Sequence, residues 1–159
     1  MKYILKHIHY ILVPIFYIAI AKAGASFTMQ GISSWYLTIT KPPYTPPGTV
    51  ISILWTIIYI LTAISFILFV NKGRGKKYFW HIIGLFLVNG IINAFWSYIF
   101  FVYHKIFLAF LNAVLIWISV ALLMVALWRH SIIASLLLAP YLVWTSFATY
   151  LAFIIYRLN

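Results

Sequence analysis

Aspartate, glutamate and cysteine are all missing from the 159 residues. Without carboxylates the chain has no carboxylate general base, no oxygen cage for a hard cation and no acidic relay of the kind proton pumps use. Without cysteine it has no disulfide, thiolate nucleophile or thiolate-bound metal, and redox chemistry says nothing of its compartment. A Ser/His/Asp triad is excluded for want of the Asp, and neither a phosphate-binding glycine loop nor zinc-ligand spacing occurs. Charge of any sign is scarce, at 7% of residues against roughly a quarter in soluble domains.

What is present is hydrocarbon and aromatic rings: 66% of residues are hydrophobic and 20% aromatic. The apolar runs reach the roughly 20 residues that a helix needs to cross a bilayer. Hydropathy predicts an all-α integral membrane protein, a five-transmembrane-helix bundle in a single domain over 1–159, with spans at about 7–27, 49–70, 79–103, 106–128 and 131–156. Residues 28–48 are expected to form a loop without helix. The joins "YHK" and "RH" are so short that spans three, four and five must run as antiparallel hairpins, and "NKGRGKK" is a flexible basic turn after span two.

The eleven Lys and Arg, giving a net charge of +11, gather at span ends. That distribution suits anionic lipid headgroups, so membrane lipid is an expected partner and nucleic acid is not. Lys2, Lys6, Lys72, Arg74, Lys76, Lys77 and Arg129 fall on one side, and Lys22, Lys41, Lys105 and Arg157 on the other. By the positive-inside rule this places the N-terminus inside and the loop outside. Residues 1–25 also fit a secretory signal, with "AIAKAGA" as cleavage site, whose removal would leave four spans. The run from Ile8 to Phe27, broken only by Lys22, is however long enough to span.

Polar and aromatic residues in the spans fall into faces. On span two, Trp55, Tyr59, Thr62 and Phe66 make one stripe beside Ser52. On span three, Asn89, Asn93 and Trp96 share a face. Two amides in hydrocarbon need partners, so they either tie helices together or recognise a ligand. Gly90, Ala94 and Ser97 form a small-residue stripe that could seat another helix of the bundle or a second subunit. On span five Trp144, Ala148, Leu151 and Ile155 line one side near Tyr141, and Pro140 is expected to kink the helix. A flat apolar ligand would suit such walls, through stacking and a few directed hydrogen bonds.

"WYLTITKPPYTPP", residues 35–47, is the polar exception. Pro42, Pro43, Pro46 and Pro47 stiffen it and lower the entropy lost on closing, while Lys41 could hold a carboxylate or a lipid phosphate. It reads as a lid, or else as a stiff connector packed on the bundle end. His7, His9, His81, His104 and His130 all lie near span ends, so no metal site is expected and no cofactor is required.

Three segments taken together, "WYLTITKPPYTPPGTVISILWTIIY", "LVNGIINAFWSYIFF" and "LLLAPYLVWTSFATYLAFIIYRLN", resemble the tryptophan-rich sensory protein family, also called translocator protein or peripheral benzodiazepine receptor. They occur in family order from Trp35 to Asn159. The resemblance implies a five-helix bundle, commonly a homodimer, with a pocket opening toward the loop, and a bacterial cell membrane as the expected location. Family members bind porphyrins such as protoporphyrin IX and haem, and isoquinoline carboxamide and benzodiazepine-type drugs. The ligand-binding residues it implies are Tyr36, Trp55, Tyr59, Asn89, Trp96, Trp144 and Ala148; the shared face on span three adds Asn93, and the loop reading adds a lid of Lys41 and the four prolines. Trp55 and Asn89 match positions that hydrogen-bond a ligand carbonyl, and Gly90 and Ala94 match the family's dimer contact. Trp55 and Trp144 match tryptophans linked to light-dependent porphyrin breakdown, which would make them catalytic if that reaction occurs here. Mitochondrial members bind cholesterol, but the C-terminal cholesterol pattern fails because Tyr156 and Arg157 are adjacent. Three functions follow as expectations: a receptor or sensor for porphyrin, a light- and oxygen-dependent porphyrin-degrading enzyme, or a porphyrin or lipid transporter. The missing coupling residues and the odd number of spans count against transport.

Overall fold

A backbone amide in hydrocarbon has no water to turn to, so apolar runs of this length satisfy themselves as helices. The computed structural model describes residues 7–159, which leaves Lys2 and Lys6 outside the described residues. The helices are α1 (His9–Gly31), α2 (Trp35–Thr38), α3 (Gly48–Gly73), α4 (Phe79–Ser97), α5 (Ile106–Trp128), α6 (Ile132–Leu136) and α7 (Ala139–Leu158). A π-helical turn, Tyr98–Val102, extends α4. Five segments are long and apolar enough to cross a membrane: α1, α3, α4 with its π turn, α5, and α6 with α7. All five spans read from hydropathy are present.

Helix α1 packs between α3 and α4, α4 against α5, and α5 against α7, while α6 and α7 close the ring onto α3. The main apolar core runs down the middle, with Tyr17, Phe66, Phe69, Phe86, Val120, Leu123 and Tyr141 among its buried members. A second, smaller core sits under the loop and is built on Ile39, Phe100, Phe101, Ala109 and Ile155.

Two local features depart from expectation. The 28–48 loop is not free of helix: α1 continues to Gly31, and α2 adds a single turn within the remainder. Pro140 does not kink a continuous helix. The fifth span is interrupted at Leu137 and Leu138, and Pro140 falls in the first turn of α7, where its missing N–H costs no hydrogen bond. Ser65 Oγ donates to the Ala134 carbonyl at 2.7 Å and Ser135 Oγ to the Met124 carbonyl at 2.8 Å, which fixes α6 against α3 and α5.

Of the two neighbours the small-residue stripe on α4 could seat, the structure shows the one inside the bundle. A Cβ at Gly90 would lie 2.7 Å from the Phe16 ring of α1, and Ala94 is buried as well. At the far end of α1, a Cβ at Gly31 would collide with the Phe101 carbonyl. The π turn brings that backbone close, so only glycine fits there.

Candidate functional site

Polar groups in a membrane interior find one another, and here they form a single directed chain across four helices. Tyr59 on α3 donates its hydroxyl proton to Asn93 Oδ1 at 2.8 Å. Asn93 Nδ2 donates to the Tyr141 hydroxyl on α7 at 2.7 Å, and Tyr141 in turn donates to Asn89 Oδ1 at 3.3 Å. Asn89 Nδ2 donates to Ser119 Oγ on α5 at 2.8 Å, and the Ser119 hydroxyl donates to the Ile116 carbonyl at 2.7 Å. Every link runs in the same sense, so each bond polarises the next. The Tyr141–Asn89 contact is the long one, well beyond the usual 2.7–2.8 Å for O–H···O.

Aromatic rings flank this chain. Trp55 lies 5.6 Å from the Tyr59 ring and 5.9 Å, edge to face, from Tyr141. Tyr17 of α1 lies 6.2 Å from Tyr59. Trp144, one turn along α7 from Tyr141, packs against the same core. Four buried polar atoms have no hydrogen-bond partner among the described residues: the Trp144 indole Nε1, the Tyr17 hydroxyl, the Thr149 hydroxyl and Asn112 Oδ1. The first two flank the satisfied chain. The Trp144 donor can act only as a donor, so an acceptor brought between the helices would complete it.

Trp96 links this centre to the loop. It packs against both cores and stacks on Phe100 at 5.0 Å with 12° between planes. Phe100 meets Trp35 edge to face at 5.0 Å and Tyr36 at 6.1 Å. The Lys41 ammonium lies 4.4 Å above the Tyr36 ring and donates to the Tyr36 and Ile39 carbonyls at 2.6 and 3.0 Å. Two of its three N–H groups thus hold the turn, and one remains for another acceptor. Burial raises the Tyr36 phenol above its ordinary range, so it stays neutral. Pro42 is buried and Pro46 half-buried, while Pro43 and Pro47 are exposed.

The loop is latched to the far end of the chain. Asn159 Oδ1 accepts from the Thr40 amide and Asn159 Nδ2 donates to the Thr40 carbonyl, both at 2.9 Å. Tyr44 stacks on Tyr150 of α7 at 6.4 Å.

The structure therefore gathers Trp55, Tyr59, Asn89, Asn93 and Trp144 around one centre. It places Tyr36 in the second core, reached through Trp96, and leaves Ala148 half-buried a turn from Trp144. Asn89 and Asn93 tie helices together in this conformation, one of the two roles the spacing allowed. Sequence reasoning missed Tyr141 as the hub, Ser119 as the last side chain in the chain, the unpaired Tyr17 hydroxyl and the Asn159 latch. Ser119 had one faint signal, a lone hydroxyl amid the apolar run of α5. Asn159 had none, because its partner is 119 positions away.

Five membrane-length helices enclosing an amide and tyrosine chain flanked by tryptophan define an integral membrane protein of the five-helix bundle class. The chain belongs to the TspO/MBR family, whose model matches residues 10–157. It is 39% identical over 127 residues to the tryptophan-rich protein TspO of Bacillus cereus, covering 79% of this chain and 81% of that protein. To the protein of the same name from Chlorobaculum tepidum it is 37% identical over 142 residues, covering 89% and 90%. It is also similar to the tryptophan-rich sensory protein of Cereibacter sphaeroides, at 28% over 144 residues and 88% of each chain.

Proposed function

We propose that this protein is a membrane receptor that binds a flat tetrapyrrole of the porphyrin class, protoporphyrin IX or haem, between Trp55, Tyr59, Trp96 and Trp144 under the 32–47 loop. The observation that carries the reading is that two of the four unpartnered buried groups, Trp144 Nε1 and the Tyr17 hydroxyl, flank a polar chain that is otherwise complete. A buried donor without a partner costs about 1–3 kcal/mol, a cost a ligand acceptor would remove. Planar rings suit walls of indole and phenol by offset stacking. Charge favours the same ligand, since propionates meet a chain of net charge +11 with no carboxylate to repel them. The remaining Lys41 N–H is the cation nearest the loop for such a group. The Cereibacter relative is named a sensory protein, which agrees with a receptor role here.

In this reading Asn89 exchanges its long contact with Tyr141 for the ligand, because that is the weakest link in the chain. The loop stays latched through Asn159 while ligand is held and opens when the latch releases. The test is a titration of protoporphyrin IX into detergent-purified protein, followed by tryptophan fluorescence in the dark. Saturable quenching is expected, with the apparent Kd raised about tenfold or more in Trp55→Phe/Trp144→Phe, equivalent to about 1.4 kcal/mol. Weak, non-saturating quenching that the double substitution leaves unchanged would remove the proposal. A parallel illuminated sample separates binding from photochemical breakdown, which would appear as faster loss of the porphyrin absorption band than in protein-free detergent.

A further inference from the structure

Away from the loop, at the end of the bundle that carries the basic turns, two clefts adjoin. One, of about 400 Å³, is an apolar groove between α5 and α7 lined by Met124, Val125, Trp128 and Leu142. The other, of about 450 Å³, is lined by Lys72, Arg129, His130 and Ser131. Trp128 and Arg129 belong to both, so the apolar groove opens directly onto the cationic one.

The walls are held in place from inside. Ser135 and Ser65 fix α6 to α5 and α3 through the carbonyls already described, and the His130 ring meets Phe69 edge to face at 6.1 Å. The helices that carry the clefts are therefore fixed to one another, while the lining side chains Lys72, Val125, Trp128 and Arg129 are exposed. The cations in it have no counter-charge within the protein. The sequence contains no Asp or Glu at all. Lys72 and Arg129 are exposed, so the anion that neutralises them must come from outside.

We propose that these paired clefts are a site for one anionic phospholipid, with its headgroup phosphate on Lys72 and Arg129 and an acyl chain along Val125 and Met124. Charge complementarity selects the anionic headgroup, and the continuous apolar groove selects a lipid over a free phosphate. From Ala121 to Trp128 the groove follows α5 for about 10 Å, the length of an acyl-chain segment. Basic pockets between transmembrane helices bind acidic headgroups by the same physics. The site is separate from the porphyrin site and stands or falls independently of it.

The test is native mass spectrometry of delipidated protein titrated with phosphatidylglycerol or phosphatidylcholine of matched acyl chains. The first phosphatidylglycerol adduct should form preferentially, and Lys72→Gln/Arg129→Gln should weaken it by about fivefold per cation removed while leaving phosphatidylcholine unaffected. Lys76→Gln/Lys77→Gln, which removes the same net charge outside the clefts, should keep the preference. Val125→Trp, which fills the groove, should weaken both lipids, and glycerol phosphate without chains should not compete. Equal retention of the two lipids would overturn the proposal. So would a preference lost equally in both double variants, which marks a net-charge effect. Competition by glycerol phosphate would mark a free-phosphate site, and a Val125→Trp protein altered only in oligomeric state would mark a subunit contact. Either result also overturns it.

Discussion

Chemically identical substitutions should have opposite consequences at Tyr141 and Tyr17, because one hydroxyl is fully used and the other is not. Tyr141 accepts from Asn93 and donates to Asn89, so Tyr141→Phe strands two buried amide groups at once. A loss of about 1–3 kcal/mol is expected. Tyr17→Phe removes a hydroxyl that has no partner among the described residues, at no change in ring volume. The ligand-free protein should then be unchanged or more stable by up to about 1 kcal/mol. Thermal or denaturant unfolding of the two variants side by side in one detergent gives the comparison. Equal losses would mean the Tyr17 hydroxyl is bonded in solution. The residue scale also shows what spacing can and cannot reveal. The i, i+4, i+7 pattern put Asn89, Asn93 and Trp96 on one inward face, and they are there. It could not name their partners, since Ser119 and Tyr141 lie on other helices, and which atoms meet across helices is fixed only by packing.

At the scale of elements, hydropathy located every span because bilayer thickness sets a length that a sequence cannot disguise. The interruptions were hidden for a physical reason: they change hydrogen bonding and not polarity. The break at Leu137 and Leu138 is as apolar as the helices beside it, and the π turn at Tyr98–Val102, "YIFFV", is itself apolar and aromatic-rich. The small helix α2 was obscured by the prolines that follow it. The π turn nevertheless decides how α1 can approach. Gly31 meets the Phe101 carbonyl so closely that Gly31→Ala must push α1 from α4, at about 1–3 kcal/mol as an overpacked contact. Gly48, at the start of α3, has nothing within 4 Å of an added Cβ, and Gly48→Ala should stay within about 0.5 kcal/mol. Resistance to unfolding in sodium dodecyl sulfate orders the two variants. If Gly48→Ala proves the worse, the close approach of α1 to the π turn is wrong.

For the whole molecule, the ring α3–α1–α4–α5–α7 turns separate aromatic faces toward one interior. Polar groups concentrate there and positive charge at the span ends, with Lys22, exposed within α1, as the exception among the described residues, a division set by the cost of burying charge in hydrocarbon. The central claim is that this interior, and not the lipid-facing surface, receives the ligand. The seven tryptophans allow a direct reading, because each has one indole N–H. Trp80 and Trp128 are exposed on the outside, and Trp117 donates to Ser146 Oγ at 2.7 Å. The deciding measurement is an indole N–H correlation spectrum of nitrogen-15-labelled protein, recorded while protoporphyrin IX is added, with the Trp→Phe variants giving the assignments. Saturable shifts confined to Trp55, Trp96 and Trp144, largest at Trp144, are what the account predicts. Shifts led by Trp80, Trp117 or Trp128, with Trp55 and Trp144 unmoved, would place the porphyrin on the outer surface and contradict it.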